Sequence, residues 1–362
     1  MKRIGLVVLV LVFACASIAA AGQREEVEDV REIVFASQSF SYCMAGANAF
    51  KDYVERETDG ALTVTVIDWK ALGDDREVTD QLRLGEIEVF NATTGSLSGV
   101  IPAVGMTNLP FLFENRYVGW ELFNDEEYFS YVQDAWLKQS NNTIRLLGAS
   151  ENSIRNLYTT RGPIKVPSDL TEYSIKMRTP AIPMYTELFA ELGSTQIVTL
   201  GAAERYSALQ SGLMDGTEGG LASAWQAGLL EVCDYVTLTG HMFDHHYYIF
   251  NNDFYESLSP EFQKIIDEAG NLAAWVQNIG VRAAEAESLQ MMKDAGKVIH
   301  EPTPEENAQW REIGVRVGTR ILSESVPAEY MEATFDAVER VSASIDMDAI
   351  DSQAERVSHY LD

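Results

Sequence analysis

Glu32-Ile33-Val34-Phe35-Ala36, Leu62-Thr63-Val64-Thr65-Val66-Ile67 and Ile87-Glu88-Val89-Phe90-Asn91-Ala92 decide the fold class. Each run is short and apolar or alternating, as a buried or half-buried strand is. Two helical stretches separate them. Residues 44–57 place Ala47, Phe50 and Val54 at helical spacing, and residues 76–84 end at Gly85, a C-capping glycine. The order β-α-β-α-β predicts a parallel sheet covered by helices.

Further along, residues 117–137 read as one aromatic-rich helix and Ile144-Arg145-Leu146-Leu147-Gly148 as a strand. A second β/α series starts near residue 153. Ile175-Lys176-Met177-Arg178 and residues 195–199 are its strands; residues 182–192 and 202–211 are helices closed by Gly193 and Gly212. Strands follow at Tyr235-Val236-Thr237-Leu238 and residues 246–250, and from Pro260 onward the chain reads as helix, with long runs over 261–295 and 304–322. No Gly/Ser/Pro-rich linker separates the halves. The expectation is therefore two α/β lobes joined by several crossings, with mostly parallel sheets flanked by helices. A ligand in such a fold sits in the crevice outside the carboxyl ends of the strands.

The 362 residues are 46% hydrophobic and 10% aromatic, enough for a substantial core and unlike a disordered chain. Lys and Arg number 27 against 55 Asp and Glu, a net charge of −28. So acidic a surface repels nucleic acid and anionic membrane. Any anionic ligand must be held by local cations against the field of the whole molecule.

Met1-Lys2-Arg3, an apolar run to Ala14 and the small residues Ala19-Ala20-Ala21-Gly22 have the form of an export signal, with residues 1–22 removed after Ala21. Val12-Phe13-Ala14-Cys15 loosely resembles a lipobox, which leaves a lipid anchor at Cys15 as an alternative. Cys43 and Cys233 remain in the mature chain; export permits a disulfide, and two isolated thiols are equally consistent with the sequence.

Candidate chemistry is scarce. There is no Walker loop, G-x-G-x-x-G, G-x-S-x-G or H-E-x-x-H. His241, Asp244, His245 and His246 are the one His-rich cluster, but neighbours on a strand point to opposite faces, so His245 and His246 cannot share a metal there. No cofactor, metal or catalytic residue is expected. Asp74-Asp75 reads as a solvated acid pair. Two arginines stand out: Arg155, after a strand, and Arg178, at the carboxyl end of one, where a guanidinium faces the crevice and its planar fork matches a carboxylate.

Six ordered segments resemble the extracytoplasmic solute-binding proteins of TRAP (tripartite ATP-independent periplasmic) transporters, the DctP-type family, over nearly all of residues 31–345. They are Leu72-Gly73-Asp74-Asp75-Arg76 with Gln81-Leu82 and Gly85; Leu109-Pro110-Phe111-Leu112-Phe113; Arg155 in the segment leading to Arg161, Pro163 and Asp169-Leu170; Ile175-Lys176-Met177-Arg178-Thr179-Pro180; Glu204-Arg205-Tyr206 with Ala208-Leu209-Gln210 and Gly212; and Asp215-Gly216-Thr217-Glu218. The resemblance implies a two-lobed periplasmic-binding-protein fold, not an enzyme, in which Arg178 clamps a ligand carboxylate and Arg155 adds a second charge or closes over it. It also implies a lobe-bridging helix at 261–295, closure on the ligand, and delivery to the small and large subunits of a membrane permease. Lobe I would comprise 31–152 with about 244–283, and lobe II 153–243 with about 284–362. Ser174 stands where the family has glycine. Gly219 replaces the Asn of sialic-acid-binding members and Thr93 falls where those are often acidic, which argues against sialic acid. Gln38 aligns with a ligand-contacting position, Glu218 belongs to the last motif, and Trp69, Phe90, Asn91, Trp225 and Tyr247 are candidate walls. An ABC-type binding protein or an exported enzyme on a similar scaffold are the alternatives. The ligand itself, beyond a carboxylate, is not named by the sequence.

Overall fold

The computed structural model describes residues 30–361; the expected signal segment and Cys15 lie outside the described residues. Among the described residues nine strands form one sheet: β1 (Arg31–Ser37), β2 (Leu62–Asp68), β3 (Val89–Thr93), β4 (Ile144–Thr159), β5 (Lys176–Thr179), β6 (Gln196–Thr199), β7 (Gly216–Gly219), β8 (Tyr235–Asn251) and β9 (Val298–His300). The order is β2-β1-β3-β8-β4-β7-β5-β6, with β9 beside β8.

The flanks are parallel, as expected: β1 pairs with β2 and β3, and β5 with β6 and β7. The centre is antiparallel. β4 and β8, 16 and 17 residues long, pair with each other along most of their length, and β3 and β7 join them antiparallel. The sheet is thus mixed, and the short strands expected at 144–148, 235–238 and 246–250 are parts of these two. Their middles place Glu151, Ser153 and Arg155 opposite His245, Asp244 and Met242, and bulges fall at Leu146/Gly148, Glu151/Ser153 and Arg155/Leu157. Polar residues and broken alternation hide a continuous strand from a hydrophobicity reading.

Alternation nevertheless builds the core. Tyr247 and Ile249 of β8 enter one large apolar cluster with Phe90, Trp136, Leu146 and Trp310, while Tyr248 and Phe250 enter another with Phe35, Phe50, Leu62 and Ile266. Each such side chain, fully buried, contributes about 1.5–3 kcal/mol.

The helix Pro260–Asp294 runs 35 residues, starting with the Ser259 side chain accepting from Phe262 N and with Pro260 in the first turn. It packs on the helix Ser41–Glu57 and on β4. Gly270 permits that approach: a Cβ there would fall 2.4 Å from Leu147 Cβ. The single helix expected at 117–137 is two, Arg116–Glu121 and Glu126–Gln139, because Asn115 and Asp125 each cap a new start. Among the described residues no helix is long and apolar enough to cross a membrane.

Candidate functional site

A cavity of about 500 Å³ opens at the carboxyl ends of β3, β5 and β7, against β4 and β8. Arg178, the third residue of β5, lines it. It is only 4% exposed, and its Nε donates to Leu200 O at 2.9 Å while Nη2 donates to the same carbonyl. Among the described residues no carboxylate lies within ion-pairing distance of it. Burial pushes its guanidinium down to about 10. Arg205, which opens the helix Arg205–Gln210, behaves alike: 9% exposed, donating from Nε to Ala202 O at 3.1 Å, without a carboxylate partner among the described residues, and lowered by burial. The short segment Leu200–Ala202 therefore anchors two guanidinium groups, both on the cavity wall.

Arg155 also reaches the wall, but its charge is spent inside the protein. Nε and Nη2 donate to Glu218 Oε2 and Oε1 at 2.5 and 2.8 Å, and Nη1 donates to Asp244 Oδ2 at 2.8 Å. Glu218 is fully buried, and Arg155 with His241, whose Nε2 is 3.8 Å away, holds it well below the usual carboxylate range against its burial. Asp244 accepts further from Asn152 at 3.0 Å and Asn108 at 3.4 Å. Arg155, expected to add a second charge or to close over the ligand, thus reaches the wall with its fork occupied by two carboxylates.

Of the other expected residues, Thr93 and Gly219 line the cavity. The Thr93 hydroxyl accepts from Ser96 N at 3.1 Å, capping the turn that follows β3. Gly219 ends β7 at φ +150°, and a Cβ on it would meet Arg205 Nη1 at 3.4 Å. Glu218 stands one layer behind. The rest are not on the wall. Gln38 is buried and donates from Nε2 to Asp75 Oδ1 at 3.1 Å. Asn91 donates to Gln277 Oε1 at 2.9 Å, and the Tyr247 hydroxyl meets that of Thr107 at 2.5 Å inside the core that also takes Phe90. Trp69 and Trp225 are half-buried against separate apolar clusters. Strand parity and core packing turn these side chains away.

Sequence reasoning missed Arg205, Asp75 and Asp244, together with the apolar lining residues Ile182, Met184, Ile321 and Leu322. Asp74 and Asp75 do not form a solvated pair. Asp74 is the N-cap, in a capping box with Glu77, which turns Asp75, the first helical residue, into the cavity, where burial raises its carboxyl.

The histidines occupy separate networks: His241 Nδ1 lies 2.7 Å from Thr239 Oγ1, His245 Nε2 donates to Gly119 O at 3.1 Å, and His246 Nδ1 lies 3.4 Å from Cys43 Sγ. Cys43 and Cys233 are individual buried thiols. Behind the site, Arg116 Nη2 donates to Glu285 Oε2 of the long helix at 2.7 Å and its Nη1 lies 3.6 Å from Glu151 Oε1 of β4. Burial and the neighbouring Glu285 raise the Glu151 carboxyl despite Arg116.

An α/β sheet with a cavity walled by buried guanidinium groups that have no carboxylate partner among the described residues has the form of a receptor for a small anionic solute. The chain belongs to the bacterial extracellular solute-binding protein family 7 (DctP), whose model matches residues 36–324. An uncharacterized protein of Sinorhizobium fredii, y4mM, is 32% identical over 208 residues, which are 55% of this chain and 35% of that protein's length, so the likeness spans about a third of that longer relative. The 2,3-diketo-L-gulonate-binding periplasmic protein YiaO of Escherichia coli is 26% identical over 284 residues, 78% of this chain and 82% of its own. The crystal structure of a TRAP periplasmic solute-binding protein from Ochrobactrum anthropi, its C-terminus bound in the ligand pocket, superimposes with a TM-score of 0.80 at 25% identity, covering 89% of this chain and 99% of that one. The protein is thus a TRAP-type, extracytoplasmic solute-binding protein, a class of binders rather than enzymes.

Proposed function

We propose that this protein captures a small organic carboxylate between two lobes and hands it to the subunits of a TRAP membrane permease. One observation carries the reading: Arg178 is buried on the cavity wall, donates to a neutral carbonyl, and has no carboxylate in range among the described residues. A desolvated guanidinium without a counter-charge is costly, and an incoming carboxylate removes that cost with two parallel hydrogen bonds. The name of the diketogulonate-binding relative is consistent with a sugar-acid or related ligand.

Closure would turn on the two strands that traverse the sheet. β4 and β8 pair at Ser153 and Asp244, the boundary between the proposed lobes 31–152 with 244–283 and 153–243 with 284–362. The long helix Pro260–Asp294 crosses the same boundary in sequence and would bend with it. Small-angle scattering with and without ligand tests this: the radius of gyration should fall on binding, and an unchanged value rejects closure.

The ligand class is tested by a thermal-shift panel of residues 23–362 against sugar acids, dicarboxylates, aromatic acids and amino acids. A ligand at 100 times its Kd stabilises by roughly 2.7 kcal/mol. At least one carboxylate should raise Tm, and its neutral amide or alcohol analogue should not. A panel in which only uncharged solutes stabilise the protein overturns the proposal.

A further inference from the structure

We infer that the ligand is bipolar: its carboxylate lies at Arg178 and Arg205, and a cationic group, a protonated amine or quaternary ammonium, lies at Asp75. This rests on the carboxylate reading above and narrows it. Five charged side chains line the cavity, and pairing with each other and with Glu218 behind the wall removes two of them, Arg155 and Asp244. Arg155 is satisfied by Glu218 and Asp244. What remains is Arg178 and Arg205, fixed side by side on the Leu200–Ala202 segment, and the carboxylate of Asp75, delivered by a different element.

Asp75 is held rather than neutralised. Its Oδ1 accepts from the amide of Gln38, a side chain that is 5% exposed, and among the described residues Gln38 has no other side-chain partner and no cation pairs with Asp75. Gln38 orients the carboxylate toward the cavity and leaves acceptor capacity on it. A carboxylate placed in a binding site for anions repels a simple anion; it accepts hydrogen bonds from a ligand's hydroxyl groups, and most strongly from a positive group, where the bond is charge-assisted. The wall also contains the apolar side chains of Ile182, Met184, Ile321 and Leu322, which suit a hydrocarbon portion of the ligand.

Calorimetric titration with matched triplets tests the inference. Each triplet has one chain length, from about three to eight carbons, and ends in an ammonium, a hydroxyl or a methyl group opposite the carboxylate. For at least one length the ammonium member should bind about tenfold or more tighter than the other two. Asp75→Asn, which keeps the shape, should erase that preference by weakening the ammonium member, while the methyl member, freed of the repulsion, binds at least as tightly as before. Arg178→Ala should weaken all three. A methyl or hydroxyl member that binds as tightly as the ammonium member, a preference that survives Asp75→Asn, or no measurable binding by any ammonium member overturns the inference. In the first two cases the carboxylate reading stands provided that Arg178→Ala still weakens binding; loss of that dependence instead overturns the carboxylate reading itself.

Discussion

Arg155 and Glu218 face each other from neighbouring strands in a two-point pair, Nε to Oε2 at 2.5 Å and Nη2 to Oε1 at 2.8 Å, with Glu218 wholly out of solvent. This pair lies directly behind Gly219 and joins β7 to β4. Removing one partner of a buried ion pair strands the other, at about 3–5 kcal/mol. Glu218→Gln should therefore lower Tm of the unliganded protein markedly, read by calorimetry. A Tm within about a degree of wild type would show that Asp244 alone suffices for Arg155.

Gly219 adopts φ +150°, a conformation that side chains rarely take, and a Cβ there would lie 3.4 Å from Arg205 Nη1, an ordinary contact. Gly219→Ala should destabilise the fold by about 1–3 kcal/mol, because the side chain must take that backbone conformation. A Tm equal to that of the wild type would show that the position tolerates a side chain without strain.

Arg116 serves two buried carboxylates, Glu151 and Glu285, and burial pushes Glu151 up from 4.5 to about 8. A carboxyl raised in the folded state keeps a proton that the unfolded chain has released. The stability this confers is fully present below about pH 4.5 and is lost as pH rises toward about 8. Tm of the wild type should fall across that window more steeply than Tm of Glu151→Gln, which cannot ionise. Parallel curves would mean that Glu151 is already charged at neutral pH.

The flanking units of the sheet were legible in the sequence because β1, β2 and β3 obey simple alternation or apolar clustering, and Gly85 marks its helix end in both readings. The centre was not. β4 and β8 carry the site's polar network, so the residues that do the most to organise the cavity are those that disguise their strands. Arg178 was placed on the cavity wall by its position at a strand's carboxyl end. Asn91 and Tyr247 sit on strands that reach the cavity but turn inward, a parity that depends on exact register and bulges. Arg205 and Asp75 were hidden differently: each opens a helix, and which way a first-turn side chain points follows from the cap before it, here Asp74 with Glu77. An acid pair in a row of charges does not reveal that one member is the cap and the other the wall.

The charge surplus has a kinetic consequence. The whole chain is strongly negative, while the cavity presents Arg178 and Arg205. A free anion approaching at low salt meets repulsion first, so the association rate for an acid ligand should rise between low salt and about 0.15 M, where the Debye length shrinks to about 8 Å. Stopped-flow fluorescence of the tryptophans measures it. A rate that falls with salt would show that the local cations, rather than the global charge, steer the approach.

The most direct measurement is the affinity of Arg178→Ala for the carboxylate that most stabilises the wild type. Arg178 makes no ion pair among the described residues and is penalised by burial, so the variant should fold with Tm undiminished, while Kd rises about 30-fold to 5000-fold, equivalent to ~2–5 kcal/mol. A variant that folds normally and binds the same carboxylate with the wild-type Kd would contradict the account at its centre.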